Sequence, residues 1–331
     1  MIQSSELRQD LVSGDWIVIA PGRANRSGKF KNILSRKPAL LKGCVFENVE
    51  TASLKKPILT YKDGKEWSLQ IIENKFPAFT HHDVCSVFKK TGPYTVTDGV
   101  GHHDLVVTRD HHKDFPSLHK ERANQVFEAF RDRYLTLLED PCLAYISIFH
   151  NWGPSAGASV YHPHYQIISI PVVPPDIQHS LEGSRRFFKK QKACVHCAMI
   201  AWELRTKKRV IFQNEGAVAV APFFSRAPFE VRVFPKPHLP YFENSYDHQI
   251  EYVVEALQES LRRVKRNLND PDYNFFIHTA PLIERSRYIN YHWHVEVIPK
   301  LSIFAGFELS TGLEINPVDP DLAAAILRKK K

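Results

Sequence analysis

HPHYQIISIP (residues 162–171) and HWHVEVIP (residues 292–299) carry one signal twice: a His-x-His pair that leads into a β-rich run. Working outward, the first copy follows another β-rich run, Tyr145-Ile-Ser-Ile-Phe149-His150, and a Gly-rich loop. Upstream lies a stretch opening at Pro116, in which Ala123, Val126, Phe127, Phe130, Tyr134, Leu137 and Leu138 recur at threes and fours. That spacing predicts an amphipathic helix. Earlier still, the apolar run DLVVTR ends at Asp110-His111. The second copy repeats the order. FEVRVFP ends at Lys236-Pro237-His238, a helical pattern places Ile250, Val253, Val254, Leu257, Leu261 and Val264 on one face, and Tyr273 to His278 forms the next strand. His111 precedes Tyr145 by 34 positions, and His238 precedes Tyr273 by 35. Each Tyr is followed by its His-x-His after 17 or 19. The chain therefore reads as an α+β protein of two tandem homologous domains, residues 1–180 and 181–331. Each is expected to be an antiparallel sheet with its helix packed on one face. DWIVIA, RVIFQN and AVAVAP supply further strands, and the Lys-rich segment 27–65 is expected to be loop-rich.

Composition is that of a globular protein: 43% hydrophobic and 24% charged residues over 331 positions. No apolar window reaches the ~18 residues of a membrane span, and MIQSSELRQDLVSGDW has no export pattern. A net charge of +8 suits phosphorylated anions or nucleic acid. Against nucleic acid stands the lack of a dense basic-aromatic face, and the terminal Arg328-Lys329-Lys330-Lys331 reads as a solvated tail. Five cysteines without an export signal point to the cytoplasm, where Cys serves as metal ligand or core filler. Cys85 and Cys142, lacking metal spacing, are expected in the core.

The chemistry gathers around FHNWGPSAGASVYHPHYQ (149–166). Strand alternation would put His162, His164 and Gln166 on one face beside a Gly/Ser loop whose backbone N–H groups can approach an anion. A neutral imidazole can attack phosphorus, and an amide can hydrogen-bond phosphoryl oxygens as they gain charge. His-x-His is equally a metal-ligand pattern, and spacing alone leaves both open. Cys194-Val-His-Cys197, with His238 and either His292 or His294, makes a Cys₂His₂ zinc set; a redox dithiol or two ordinary cysteines are the alternatives. Cys44-Val-Phe-Glu47 with His111 and His162 is a poorer version of the same set. Arg23 and Arg26 in PGRANR are candidates for clamping phosphates, and Asn74 for contacting a nucleotide. His81, His82, His102 and His103 read as structural, and His278 as a satisfied core or cleft histidine.

GDWIVIAPGRANR, ENKFPAF, the 149–166 block and AGFELSTGLEIN together resemble the galactose-1-phosphate uridylyltransferase family of the histidine-triad superfamily. SIPVVPP and NDPDYNFFIHTAPL look most similar to its ADP-glucose phosphorylase-like branch. The resemblance implies two fused histidine-triad-like domains and a double displacement through a nucleotidyl-His164 intermediate. Gln166 would hold the phosphoryl group, while Gly157, Ser159 and the neighbouring backbone would bind the other phosphates. Asn151, Asn74, Arg23 and Arg26 match positions that contact the nucleotide or phosphates. His162, His111 and Cys44 would be zinc ligands, with Glu47 where the family has a second Cys. Cys194, Cys197, His238 and His292 match a second zinc site. Glu308 matches a hexose-binding Glu, but Glu314 stands where the family has Gln. The expected activity is UDP-glucose:hexose-1-phosphate uridylyl transfer. The alternatives are phosphorolysis of ADP-glucose or a diadenosine polyphosphate, and a hydrolytic or non-catalytic nucleotide-binding protein. The implied partners are a nucleotide sugar with sugar 1-phosphate or inorganic phosphate, and a second copy of the chain in a homodimer.

Overall fold

The structure, a computed structural model, describes residues 4–23, 36–47, 53, 55–82 and 84–329. The two halves do not form separate sheets; their strands merge into one. The first half contributes β3 (Leu59–Asp63), β4 (Glu66–Glu73), β7 (His102–Thr108), β8 (Tyr145–Trp152) and β9 (His164–Ile170), with a separate hairpin of β5 (Lys89–Thr91) and β6 (Tyr94–Val96) between β4 and β7. The second half contributes β10 (Val210–Gln213), β11 (Ala217–Val220), β12 (Val231–Pro235), β13 (Tyr273–His278) and β14 (His294–Pro299). All pair antiparallel in the order β10-β11-β12-β14-β13-β8-β9-β7-β4-β3. Phe149 pairs with Gln166 as Phe276 pairs with Glu296, and Phe149 pairs with Phe276 across the central seam. The repeat in the sequence is thus a twofold arrangement about the β8–β13 junction. Continuation across it has a simple cause: each half alone would leave an unpaired edge of N–H and C=O groups.

Both predicted helices, α1 (Lys120–Leu137) and α4 (Asp247–Asn267), bury the apolar faces read from their spacing. They share one core with Phe115, Tyr165, Phe275 and Trp293 behind the sheet. Along β8 and β13 the alternate residues, Ser147, Phe149, Asn151, Asn274, Phe276 and His278, are only half-buried and line a cleft of about 900 Å³ on the other face. Between the halves, α2 (Pro175–Gln191) and α3 (Val195–Thr206) follow one another, α2 running through residues 180 and 181. DWIVIA forms β2 (Trp16–Ile19), outside the main sheet. It pairs with β1 (Glu6–Gln9) and, in parallel, with β15 (Ile315–Asn316), tying the two ends of the chain together. The short helix α5 (Gly306–Thr311) precedes β15, and α6 (Pro320–Leu327) follows it. Arg8 reinforces this tie, reaching Asp319 at 2.7 Å and the Phe223 carbonyl at 3.1 Å.

Cys85 and Cys142 are not core residues. They form a disulfide that joins the loop after β4 to the turn before β8. Cys85 is exposed and Cys142 half-buried, because both lie outside the sheet, where no apolar packing is offered to a thiol. Cys44, Cys194 and Cys197 keep free thiols. Among the described residues no helix is long and apolar enough to cross a membrane.

Candidate active site

β9 begins at His164, so His162 stands just ahead of the strand rather than on its face. The two histidines take different partners as a result. His164 donates Nδ1–H to the His162 carbonyl oxygen (3.0 Å), which leaves the Nε2 lone pair free. Burial lowers its pKa below the ordinary histidine value, so the imidazole is neutral near pH 7. Behind it, His150 Nδ1–H donates to the His164 carbonyl (2.8 Å), and the Phe46 ring lies 5.0 Å from the His164 ring. Two residues along the strand, on the same face, Gln166 Oε1 lies 2.9 Å from His103 Nε2. His103 also lies 3.1 Å from Asn74 and accepts the Ala78 N–H on Nδ1. His103, read from sequence as structural, thus belongs to the site.

The Gly/Ser loop is held from the second half of the chain. Asp272 accepts the Ser155 N–H at 2.8 Å, and Asn274 donates to Asn151 Oδ1 (2.7 Å) and the Ala156 carbonyl (2.9 Å). Gly153 (φ +87°) and Gly157 (φ +90°) adopt the left-handed region that permits this turn. At Gly153 space matters too, since a Cβ would meet Asp272 Oδ1 at 2.0 Å. Gly153→Ala is therefore expected to pull Asp272 off the loop. A loss of more than about 2 kcal/mol of stability, read by denaturant unfolding, should accompany it. Gly157 and Ser159 are exposed on the loop's outer turn. Arg23 ends an exposed 3-10 turn, and Arg26 lies outside the described residues. Glu308 caps α5 by accepting the Ala305 N–H, whereas Thr311 and Glu314 line the cleft.

Two four-residue groups could hold a metal ion. In the second half, Cys197 Sγ lies 3.4 Å from both His238 Nδ1 and His292 Nδ1, with Cys194 beside it. The Nε2–H of each imidazole donates to a carbonyl, Ile289 at 2.8 Å and Pro235 at 2.9 Å, so both Nδ1 lone pairs face the thiols. In the first half, His111 Nε2–H donates to the Ala39 carbonyl (3.0 Å) and His162 Nε2–H to the Thr108 carbonyl (2.7 Å). Their Nδ1 lone pairs then face one another at 3.1 Å, with Glu47 Oε1 3.1 and 3.4 Å away and Cys44 Sγ 3.6 Å from His162. Burial pushes His162 down to about 4, so protonation does not relieve that contact, whereas a cation does. A tetrahedral ion bound at about 2.0–2.3 Å sets its ligands about 3.3–3.8 Å apart, close to these distances.

The twofold supplies an internal control. His294 Nδ1–H donates to the His292 carbonyl (3.1 Å) as His164 does to His162. Yet Glu296 stands at the position of Gln166, salt-bridged to Arg226 (2.6 Å), Arg232 (3.4 Å) and His278 (3.1 Å). Burial opposes its ionisation, but the two guanidiniums outweigh that and hold it well below the usual carboxylate range. The second half thus holds an ion-paired carboxylate where the first half holds a neutral amide.

Residues 46–329 match the family described as a domain of unknown function, DUF4921. The chain is 32% identical to the ADP-glucose phosphorylase of Arabidopsis thaliana, over 99% of this chain and 93% of that protein. It is 29% identical to the galactose-1-phosphate uridylyltransferase of Thermotoga maritima, over 80% and 85%. The Arabidopsis ADP-glucose phosphorylase solved with bound ADP-glucose superposes with a TM-score of 0.83, covering 99% and 100% of the two chains at 29% identity. A solved uridylyltransferase superposes at 0.74, covering 98% and 97% at 26%. With the histidine, glutamine and loop geometry above, these similarities make the chain a nucleotidyltransferase of the galactose-1-phosphate uridylyltransferase family, in its ADP-glucose phosphorylase-like branch.

Proposed function

We propose that this chain transfers an adenylyl group from ADP-glucose to inorganic phosphate through His164. The observation that carries the transfer chemistry is the His164 tautomer: Nδ1–H is committed to a carbonyl, and Nε2 is neutral and unencumbered beside a Gly/Ser loop. Nε2 attacks the α-phosphorus, the P–O bond to the sugar phosphate breaks, and glucose 1-phosphate leaves. The Nδ1–H bond to the His162 carbonyl stabilises the positive charge that develops on the ring. An oxygen of inorganic phosphate then attacks the same phosphorus, releasing ADP and restoring His164. Gln166, Asn151 and the loop N–H groups donate to the phosphoryl oxygens. Sugar 1-phosphates and phosphate are good leaving groups, so no general acid is required. Gly157 and Ser159 are assigned to a distal phosphate, and Asn74, Arg23 and Arg26 to the nucleotide end, by resemblance. Glu308 is likewise assigned to the sugar.

Zinc suits both four-residue groups, Cys194/Cys197/His238/His292 and Cys44/Glu47/His111/His162, as a closed structural ion that clamps strand ends. The assembly is taken as a homodimer of two histidine-triad-like domains, 1–180 and 181–331, on the family resemblance. The adenylyl donor is favoured by the near full-length similarity to ADP-glucose phosphorylase. Uridylyl transfer from UDP-glucose to a hexose 1-phosphate is the second reading, favoured by the similarity to the Thermotoga enzyme. Intact-protein mass after incubation with ADP-glucose or UDP-glucose separates them. An adenylyl adduct is expected; a uridylyl adduct alone establishes the second reading.

A further inference from the structure

We propose that His103 and Asn274 are positioning residues that fix which way the amides of Gln166 and Asn151 face, so that an incoming phosphoryl group meets only N–H donors. The proposal rests on the transfer reading above. An amide presents a donor on one side and an acceptor on the other. Turned the wrong way, it puts a carbonyl oxygen against an anion. Each of these two amides has its oxygen already taken. His103 Nδ1 accepts the Ala78 N–H (3.1 Å), so the ring proton sits on Nε2, which faces Gln166 Oε1 (2.9 Å) and Asn74 Nδ2 (3.1 Å); of the two only the Gln166 oxygen can accept it. Asn274 spends one amide hydrogen on the Ala156 carbonyl (2.9 Å), which can only accept, and another on Asn151 Oδ1 (2.7 Å). A backbone group whose role cannot change therefore anchors each chain of bonds. The Gln166 and Asn151 NH₂ groups are left for the ligand, and Asn151 Nδ2 faces the phosphate loop at Gly157. Asn274 stands opposite Asn151 in the central strand pair, so the second half of the chain sets donor polarity for the site in the first.

The test uses the paired replacements Gln/Glu and Asn/Asp, which match in shape but differ in hydrogen-bond direction and charge; the Gln166→Ala background separates the two, because charge repulsion persists there and the amide effect does not. His103→Gln retains a donor, whereas His103→Glu offers an acceptor that turns Gln166 around. Asn274→Asp, likewise unable to donate, draws the Asn151 NH₂ toward itself. Single-turnover formation of the His164 adduct is expected to fall on the order of 10²-fold in His103→Glu and Asn274→Asp, the usual cost of losing one charge-stabilising donor. His103→Gln should recover most of the rate. The His103→Glu loss should vanish in a Gln166→Ala background, since residues acting through one another are not additive. Equal rates for His103→Gln and His103→Glu, or a full His103→Glu loss in the Gln166→Ala background, would overturn the His103 assignment. A wild-type rate in folded Asn274→Asp would overturn the Asn274 assignment. A wild-type protein that forms no adduct with either nucleotide sugar removes the transfer reading itself, and the proposal with it.

Discussion

His164→Ala is expected to abolish adduct formation, with turnover reduced at least about 10⁴-fold, as for other covalent nucleophiles. The fold should persist, because the ring makes one hydrogen bond to the neighbouring His162 carbonyl and one ring contact to Phe46. His294→Ala tests the same chemistry in reverse. His294 is equivalent under the twofold and makes the same bond to its own neighbour, but it is walled in by aromatic rings. His278 lies 4.7 Å away, Phe234 4.9 Å and His196 5.1 Å. His294 is buried but lines the cleft beside His196 and His278, so truncating it loses these ring contacts and should cost about 1–3 kcal/mol of stability. The His164 adduct should still form. Mass spectrometry and denaturant unfolding on both variants decide the matter. If His294→Ala loses the adduct while remaining folded, or His164→Ala retains it, the assignment of chemistry to the first half fails.

The contrast between those two histidines also marks how far the sequence could be read. The repeat was legible because strands, helices and His-x-His pairs recur at nearly equal spacing, and periodicity survives in one dimension. That the two sheets would fuse was not legible: edge-to-edge pairing of β8 with β13 depends on two runs 128 positions apart, Tyr145 and Tyr273, that are each good strands alone. His164, Gln166 and the two candidate metal-ligand groups could be singled out by residue type and spacing. His103 could not, because its role comes from the partners on each ring nitrogen and a strand-edge histidine has no signature. Asn274 was hidden for the same reason, since it acts on a loop 118 residues earlier. The Cys85–Cys142 link escaped notice because a separation of 57 residues carries no spacing signal. Glu47 illustrates a further limit. The sequence showed a carboxylate where a thiol was expected, and only the geometry shows it 3.1 Å from His111 Nδ1, in ligand position.

Progressive chelation is expected to separate the two metal groups, with different consequences for each. The Cys194/Cys197/His238/His292 group offers two sulfur ligands, and hydrogen bonds from Cys197, His196, His238 and His292 favour a thiolate at Cys194 against the opposing effect of burial. The other group has one thiol and a half-exposed carboxylate, a harder and weaker set for zinc. The Glu47 group should therefore release its ion first. Its ligand His162 supplies the carbonyl that holds the His164 proton, so this first release should cost adduct formation while the sheet stays folded. The second release should unfold the C-terminal half. His238 and His292 brace the Ile289 and Pro235 carbonyls through their other nitrogens, and α3 begins at the cysteine pair. Cys197→Ser should remove one equivalent of metal and lower Tm by about 10 °C or more, the shift for roughly 3–5 kcal/mol in a domain of this size. Metal content, adduct rate and Tm followed along one chelator titration give the answer. Two steps, activity before stability, are expected. Simultaneous loss of both at a single step would mean that the two groups are one cooperative unit, and loss of metal with neither change would show that these clusters are not structural ion sites.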